Sequence, residues 1–99
     1  MSSAERESRQ LLDDAGAVVS TAQYLDGELD GVAQTFAAGV LIEEASYVAG
    51  QLHGPYRSWW HNGTAKEQGT FNRGSRVGVY RWYQLDGSLW QEHDYGSVL

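Results

Sequence analysis

The 99-residue chain contains no cysteine, which excludes disulfide bonds and thiolate metal sites. Small secreted domains often rely on disulfides, so this lack gives no support for a secreted, disulfide-stapled fold. Long apolar runs are missing too. AGAVV at 15–19 falls far short of the roughly 20 residues a membrane span needs. The first residues, MSSAERESRQ, carry charges of both signs and lead into no apolar stretch, unlike a signal peptide. A soluble, cytoplasmic protein is expected. Basic residues are scarce: seven Lys and Arg against thirteen Asp and Glu give a net charge of -6. That balance disfavours a phosphate backbone or an anionic membrane surface as partner. It suits a basic protein partner, for which complementary charge speeds association. The length allows one domain with a modest core.

The motifs of common chemistries are also missing. There is no G-x-S-x-G elbow, no P-loop and no G-x-G-x-x-G. His53, His61 and His93 lack the i, i+4 spacing of a helical zinc site, and no cysteine assists them. No metal, cofactor or catalytic residue is expected, and the chain reads as a non-enzyme. Glu43, Glu67 and Gln91 align as one column and Glu44, Gln68 and Glu92 as another. Paired carboxylates can serve as an acid–base pair. With Arg57 and Arg81 expected on neighbouring strands, the favoured reading is a solvated acidic strip that pairs with those arginines.

Residues 1–23 contain no aromatic side chain, while all Trp, Tyr and Phe lie at Tyr24 or beyond. Ser3 and the acidic stretch after it predict a short helix over about residues 4–14. Leu11, Leu12, Ala15 and Val18 form its thin apolar stripe. Residues 1–23 are expected to form this helical cap or a tail, and 24–99 a repeat domain.

The repeat is the strongest signal present. Segments starting at Tyr24, Tyr47 and Phe71 share one skeleton with steps of 23 and 24 residues, and a fourth start appears at Tyr95. A fixed period of this length implies stacked supersecondary units that bury their apolar faces together. Gly27, Gly50 and Gly74 follow each aromatic by three residues. Gly31, Gly54 and Gly78 come four later, and Gly39, Gly63 and Gly87 later still. Asn62-Gly63 and Asp86-Gly87 are hairpin turn signals flanked by strand-like sequence. The expected fold is all-β: an antiparallel meander of three hairpin repeats with about six strands, preceded by the short helix. Alternation puts Leu41, Ala65 and Leu89, then Ala45, Gly69 and His93, then Tyr47, Phe71 and Tyr95 on the buried face. Ile42, Lys66 and Trp90 fall on the other.

This pattern resembles the MORN-repeat superfamily, and most of all its bacterial variant, the YwqK-like antitoxin family. The residues that carry the likeness are QLHGPYRSWWHNGTAKEQGTF at 51–71 and SRVGVYRWYQLDGSLWQEHDY at 75–95, where Val77 replaces the histidine at the position of His53. The first copy is degenerate, with Asp30 at the histidine position and Ala33 at the tyrosine position. The resemblance covers about three quarters of the chain. It implies a binding protein that acts as an antitoxin or immunity protein, with His53 supporting a turn.

Aromatics crowd the second and third copies. Adjacent residues of a strand point to opposite faces, so Trp59 and Trp60 cannot both face the core, nor can Trp82 and Tyr83. Exposed Trp and Tyr next to Arg are typical interface anchors. The expected partner-contact residues are therefore Arg57, Trp59, Trp60, Arg81, Trp82 and Trp90, with Glu44, Glu92 and Asp94 on the acidic strip. The expected partner is a cognate protein, a toxin domain whose active site the sheet covers. Two alternatives stand beside it. One is a scaffold that oligomerises through the exposed edge strand near 90–95. The other is carbohydrate or lipid binding through stacked aromatics.

Overall fold

A computed structural model describes residues 5–97. Eight strands follow one another along the chain: β1 (Glu7–Leu12), β2 (Val18–Leu25), β3 (Glu28–Ala37), β4 (Val40–Val48), β5 (Gln51–Trp59), β6 (Ala65–Asn72), β7 (Ser75–Tyr83) and β8 (Leu89–Asp94). They pair in sequence order as one antiparallel sheet. The expected β-hairpin meander is therefore present, with two more strands than the sequence reading gave it. Among the described residues no helix is long and apolar enough to cross a membrane.

The predicted helix over about 4–14 is not formed; residue 4 lies outside the described residues, and 7–12 are β1. The physical reason lies in the turn that follows. Asp13 Oδ1 accepts hydrogen bonds from Ala15 N and Ala17 N, both at 2.9 Å. Asp13 thus closes a β-turn inside the span expected to be helical. Gly16 stands 23 residues before Gly39, within the repeat's own spacing. β1 and β2 are thus a further hairpin in phase with the rest, and they escape notice because they lack the aromatic marks.

Two kinds of turn are present, and they do not strictly alternate: the β3–β4 turn, Ala38-Gly39, is tight where the β1–β2, β5–β6 and β7–β8 turns are long. Asn62-Gly63 and Asp86-Gly87 do join hairpins, but in turns longer than two residues, closed by Trp60 N to Thr64 O and Gln84 N to Ser88 O at 2.8 Å each. The tight two-residue turns are Asp26-Gly27, Ala38-Gly39, Ala49-Gly50 and Arg73-Gly74, with both residues of each at positive φ. That is the geometry that matches strand twist, and glycine makes its second position cheap. The segments expected to be links between hairpins are therefore paired strands themselves. His53 and Gly54 lie inside β5, and Gly54 sits at φ +111 beside a shift of register between β4 and β5. It opens a β-bulge that bends the strand.

The sheet is a slab of 49 × 44 × 12 Å, thus a single layer. Its core lies within one face. Cross-strand partners share a face, so Ala45, Tyr56, Gly69, Tyr80 and His93 form one row. Tyr24, Tyr47, Phe71 and Tyr95 run beside it. Ala45, Phe71 and Tyr80 are buried. The aromatic face is thus the more buried one in the middle of the sheet but not at its end. Tyr95 remains 43% exposed, since among the described residues no strand lies beyond β8. Leu41, Ala65 and Leu89, expected on this face, pair instead with Phe36, Trp59 and Tyr83 of the other face, because a register shift interrupts alternation in each hairpin.

Asp30 and His53 occupy the same place in successive repeats and do the same work. Asp30 Oδ2 accepts from Ala49 N at 3.0 Å; His53 Nδ1 accepts from Arg73 N at 3.2 Å. Each fixes the next tight turn; for His53 this is the turn-supporting role that the resemblance implies. Asp30 also holds Arg6, through Nη2 at 2.7 Å and Nε at 3.1 Å. The Ala49 amide, then the Arg6 guanidinium, hold its carboxyl below the usual carboxylate range. A depressed folded pKa contributes stability above the unfolded value of about 3.9, and that contribution disappears as pH falls through the folded pKa. Chemical denaturation between pH 6 and 2 should show stability falling below about pH 4. Asp30→Asn should be less stable at pH 6 and show a shallower acid slope. An unchanged slope would remove Asp30 as its source.

Candidate functional site: a tryptophan hollow at the turn edge

The site grows out of bulges near the long turns. In β6 and β8 the register shifts at Ala65–Glu67 and at Leu89–Gln91. An extra residue at a bulge breaks strict alternation. Trp90, placed by alternation on the face away from the aromatic rows, lines one hollow together with Glu67 and Trp82; so does Lys66. Trp60, just beyond the end of β5, closes the hollow on one side, and Tyr83 and Gln84 bound it. Its volume is about 380 Å³, within the range of small-ligand sites.

Trp60 is fixed by its indole N–H, which donates to Tyr83 O at 3.1 Å. The two long turns are also tied to each other: Asn62 Nδ2 and Thr64 Oγ1 donate to Leu85 O at 2.9 and 3.1 Å. The ammonium of Lys66 lies 4.7 Å from the Trp60 ring centre, a cation–π contact that keeps the lysine over the aromatic wall. Trp82 rests against Tyr80 with ring centres 4.9 Å apart. The walls are therefore held before any ligand arrives, which lowers the ordering cost of binding.

Glu67 of the hollow belongs to a Tyr–Glu ladder whose two pairs are 24 residues apart. Tyr56 donates to Glu43 Oε2 at 2.7 Å and Tyr80 to Glu67 Oε1 at 2.6 Å. Burial, then the hydrogen bond to the neighbouring carboxylate, pushes both phenols well above the usual tyrosine range. They stay protonated donors throughout the stable pH range. Arg76 Nη2 reaches Glu67 Oε1 at 3.5 Å, and its guanidinium lies 4.8 Å from the Tyr80 ring centre. Glu43 and Glu67 thus act as acceptors for tyrosines. Ser58 lies between these carboxylates across the strands, and its buried Oγ has no hydrogen-bond partner. Since an unsatisfied buried hydroxyl is costly, Ser58→Ala should be neutral or stabilise the fold by up to about 1–2 kcal/mol. A melting temperature lowered by several degrees would show that the hydroxyl is bound.

The nine residues singled out in the sequence divide between the two faces. Trp60, Trp82 and Trp90 meet at the hollow. Arg57, Trp59, Arg81, Glu44, Glu92 and Asp94 lie on the opposite face by strand alternation. There Arg57 pairs with Glu44 at 3.0 Å and Arg81 with Glu92 at 2.7 Å. These are the cross-strand ion pairs that the sequence offered as the plain reading of the acidic strip. Partly exposed pairs of this kind contribute only about 0.2–1 kcal/mol. Arg57 also lies 6.0 Å from the Trp59 ring centre. Lys66, Glu67, Tyr83 and Gln84 complete the hollow and were not among the expected contact residues.

No family model, no curated protein and no solved structure matches the chain.

Proposed function

We propose that the chain is a protein-recognition module that seats an apolar or aromatic side chain of its partner in the Trp60–Trp82–Trp90 hollow. One observation carries this reading: a preformed, tryptophan-walled hollow of about 380 Å³ lies open on the face of a single-layer sheet. Pre-organised aromatic anchors of this kind dominate interface energetics. The net charge of -6 favours a basic partner surface. The likeness of 51–71 and 75–95 to the YwqK-like MORN variant supports a narrower form of the reading. In that form the partner is a toxin domain and the sheet covers its active site, as an antitoxin or immunity protein does.

Affinity purification from native cells with mass spectrometry identifies the partner. Binding by purified proteins then tests the surface. Trp60→Ala with Trp82→Ala should weaken affinity at least about 30-fold, since anchors cost 2 kcal/mol or more when truncated. Inhibition of the partner's enzymatic activity by the native chain, lost in the double variant, would support occlusion. Unchanged affinity would move the contact to another surface.

A second reading follows from the same walls. Indole faces flanked by Lys66 and Glu67 could stack a sugar ring and hydrogen-bond its hydroxyls. Titration of tryptophan fluorescence with oligosaccharides separates it from the first.

A further inference from the structure

We propose that the chain associates with itself head to tail, the free edge of β8 pairing with the free edge of β1 of a second copy. The argument starts from repeat phase. The outer edges of β2, β4 and β6 are each covered by the next strand, which is β3, β5 or β7. Among the described residues, β8, of the first class, has no neighbour on its outer edge, and β1, of the second class, has none on its own. Docking β1 on β8 therefore extends the pattern the molecule already builds three times. The amide of Tyr95 turns inward, donating to Gly78 O at 2.9 Å. By alternation the amides of Glu92 and Asp94 turn outward and are free for such a strand.

Side chains favour this pairing over the symmetric ones. β6 pairs with β7 with Gln68 opposite Arg81, Glu67 opposite Trp82 and Thr70 opposite Val77. Carried one repeat on, the same register sets Glu92 opposite Gln10, Gln91 opposite Leu11 and Asp94 opposite Arg6 of the second copy. Leu89 and Trp90 then meet Leu11 and Leu12. These four are the exposed apolar residues of the two edges, at 51%, 63%, 62% and 51% exposure. Apolar end meets apolar end, and Asp94 comes opposite Arg6, whose Nε and Nη2 already hold Asp30. Antiparallel pairing of β8 with its own copy would set Leu89 and Trp90 against the Asp94 end and bring Glu92 near its twin. Pairing of β1 with itself would set Leu11 and Leu12 against Glu7. The head-to-tail contact is heterologous, so it grows into open chains or closes as a ring.

The absence of cysteine makes the test clean. Gln10→Cys and Glu92→Cys are exposed substitutions, and a directly paired position allows a disulfide. Mixing the two single variants under mild oxidation should give a covalent heterodimer. The double variant should give a ladder of covalent oligomers, and Glu92→Cys alone should form little covalent dimer. Sedimentation of the native chain should show mass rising with concentration. Leu12→Lys, exposed in the monomer, should weaken that association at least about tenfold with an unchanged circular dichroism spectrum. Monomer at every concentration would overturn the proposal. So would Glu92→Cys alone cross-linking as well as the mixture, which would establish symmetric β8 pairing.

Discussion

Tyr80→Ala should lower stability by about 3–5 kcal/mol, the cost typical of truncating a large buried aromatic, and most of the fold's margin at this size. Tyr80 is fully buried, although the sheet has only one layer. Its ring is enclosed by Phe71 at 5.8 Å, Trp82 at 4.9 Å and Tyr95 at 6.2 Å between ring centres, with the Arg76 guanidinium at 4.8 Å. Gly69 lies beneath it. The β6–β7–β8 region thus packs around this one ring, and no second layer can collapse into the gap its loss would leave. Thermal melting should show a drop on the order of 20 °C. Tyr80→Phe keeps the packing and removes the donor to Glu67. Its cost should be smaller, about 1.5–3 kcal/mol for a hydrogen bond to a charged group. A drop of only a few degrees for Tyr80→Ala would mean that the aromatic rows are not the core. Because Trp82 rests on Tyr80, Tyr80→Phe should leave the hollow formed, whereas Tyr80→Ala should loosen one of its walls.

Glycine and aromatic spacing made the meander legible, because tight turns and half-buried strands each require particular residues. What escaped had weaker marks. The β1–β2 hairpin carries the repeat's turn glycine, Gly16, but Glu7 stands at the place of the bulge glycines Gly31, Gly54 and Gly78, and its apolar residues mimic a helical stripe. Only pairing with β2 decides the matter, and pairing is not local. Gly54 reads as a loop residue because a positive φ is needed equally in a turn and in a bulge. The hollow was half visible. Trp60 and Trp82 read as surplus aromatics, but strict alternation puts Trp90 on the face away from the aromatic rows, since a bulge cannot be read from period two. Glu67 was seen as part of an acidic column. Its partner Tyr80 follows 13 residues later, and the same interval separates Glu43 from Tyr56. That interval is the signal that could have revealed the ladder. The separation of Arg57 from Trp60 and of Arg81 from Trp82 is legible as well, since each pair has opposite parity.

Gly69→Ala should cost about 1–3 kcal/mol or somewhat more, although alanine is the residue found at Ala45 and Ala22 in the same column. Gly69 does not have a positive φ, so backbone freedom is not what fixes it. A Cβ there would overlap Cδ2 and Cε2 of the Tyr80 ring. The ring cannot retreat, since Phe71, Trp82 and Tyr95 surround it and its hydroxyl is tied to Glu67. The column therefore has a cause. At Ala45 and Gly69 a tyrosine of the next strand, Tyr56 or Tyr80, stands opposite or lies across the position. At His93 no further strand lies alongside among the described residues, and a large side chain is tolerated. Because the penalty arises from contact with one ring, it should vanish when that ring is removed. In the Tyr80→Ala background, Gly69→Ala should be neutral or slightly stabilising, a coupling that a double-mutant cycle by chemical denaturation measures directly. Additive losses would show that Gly69 is required by the backbone, and the close approach of Tyr80 would then not be what keeps this position small.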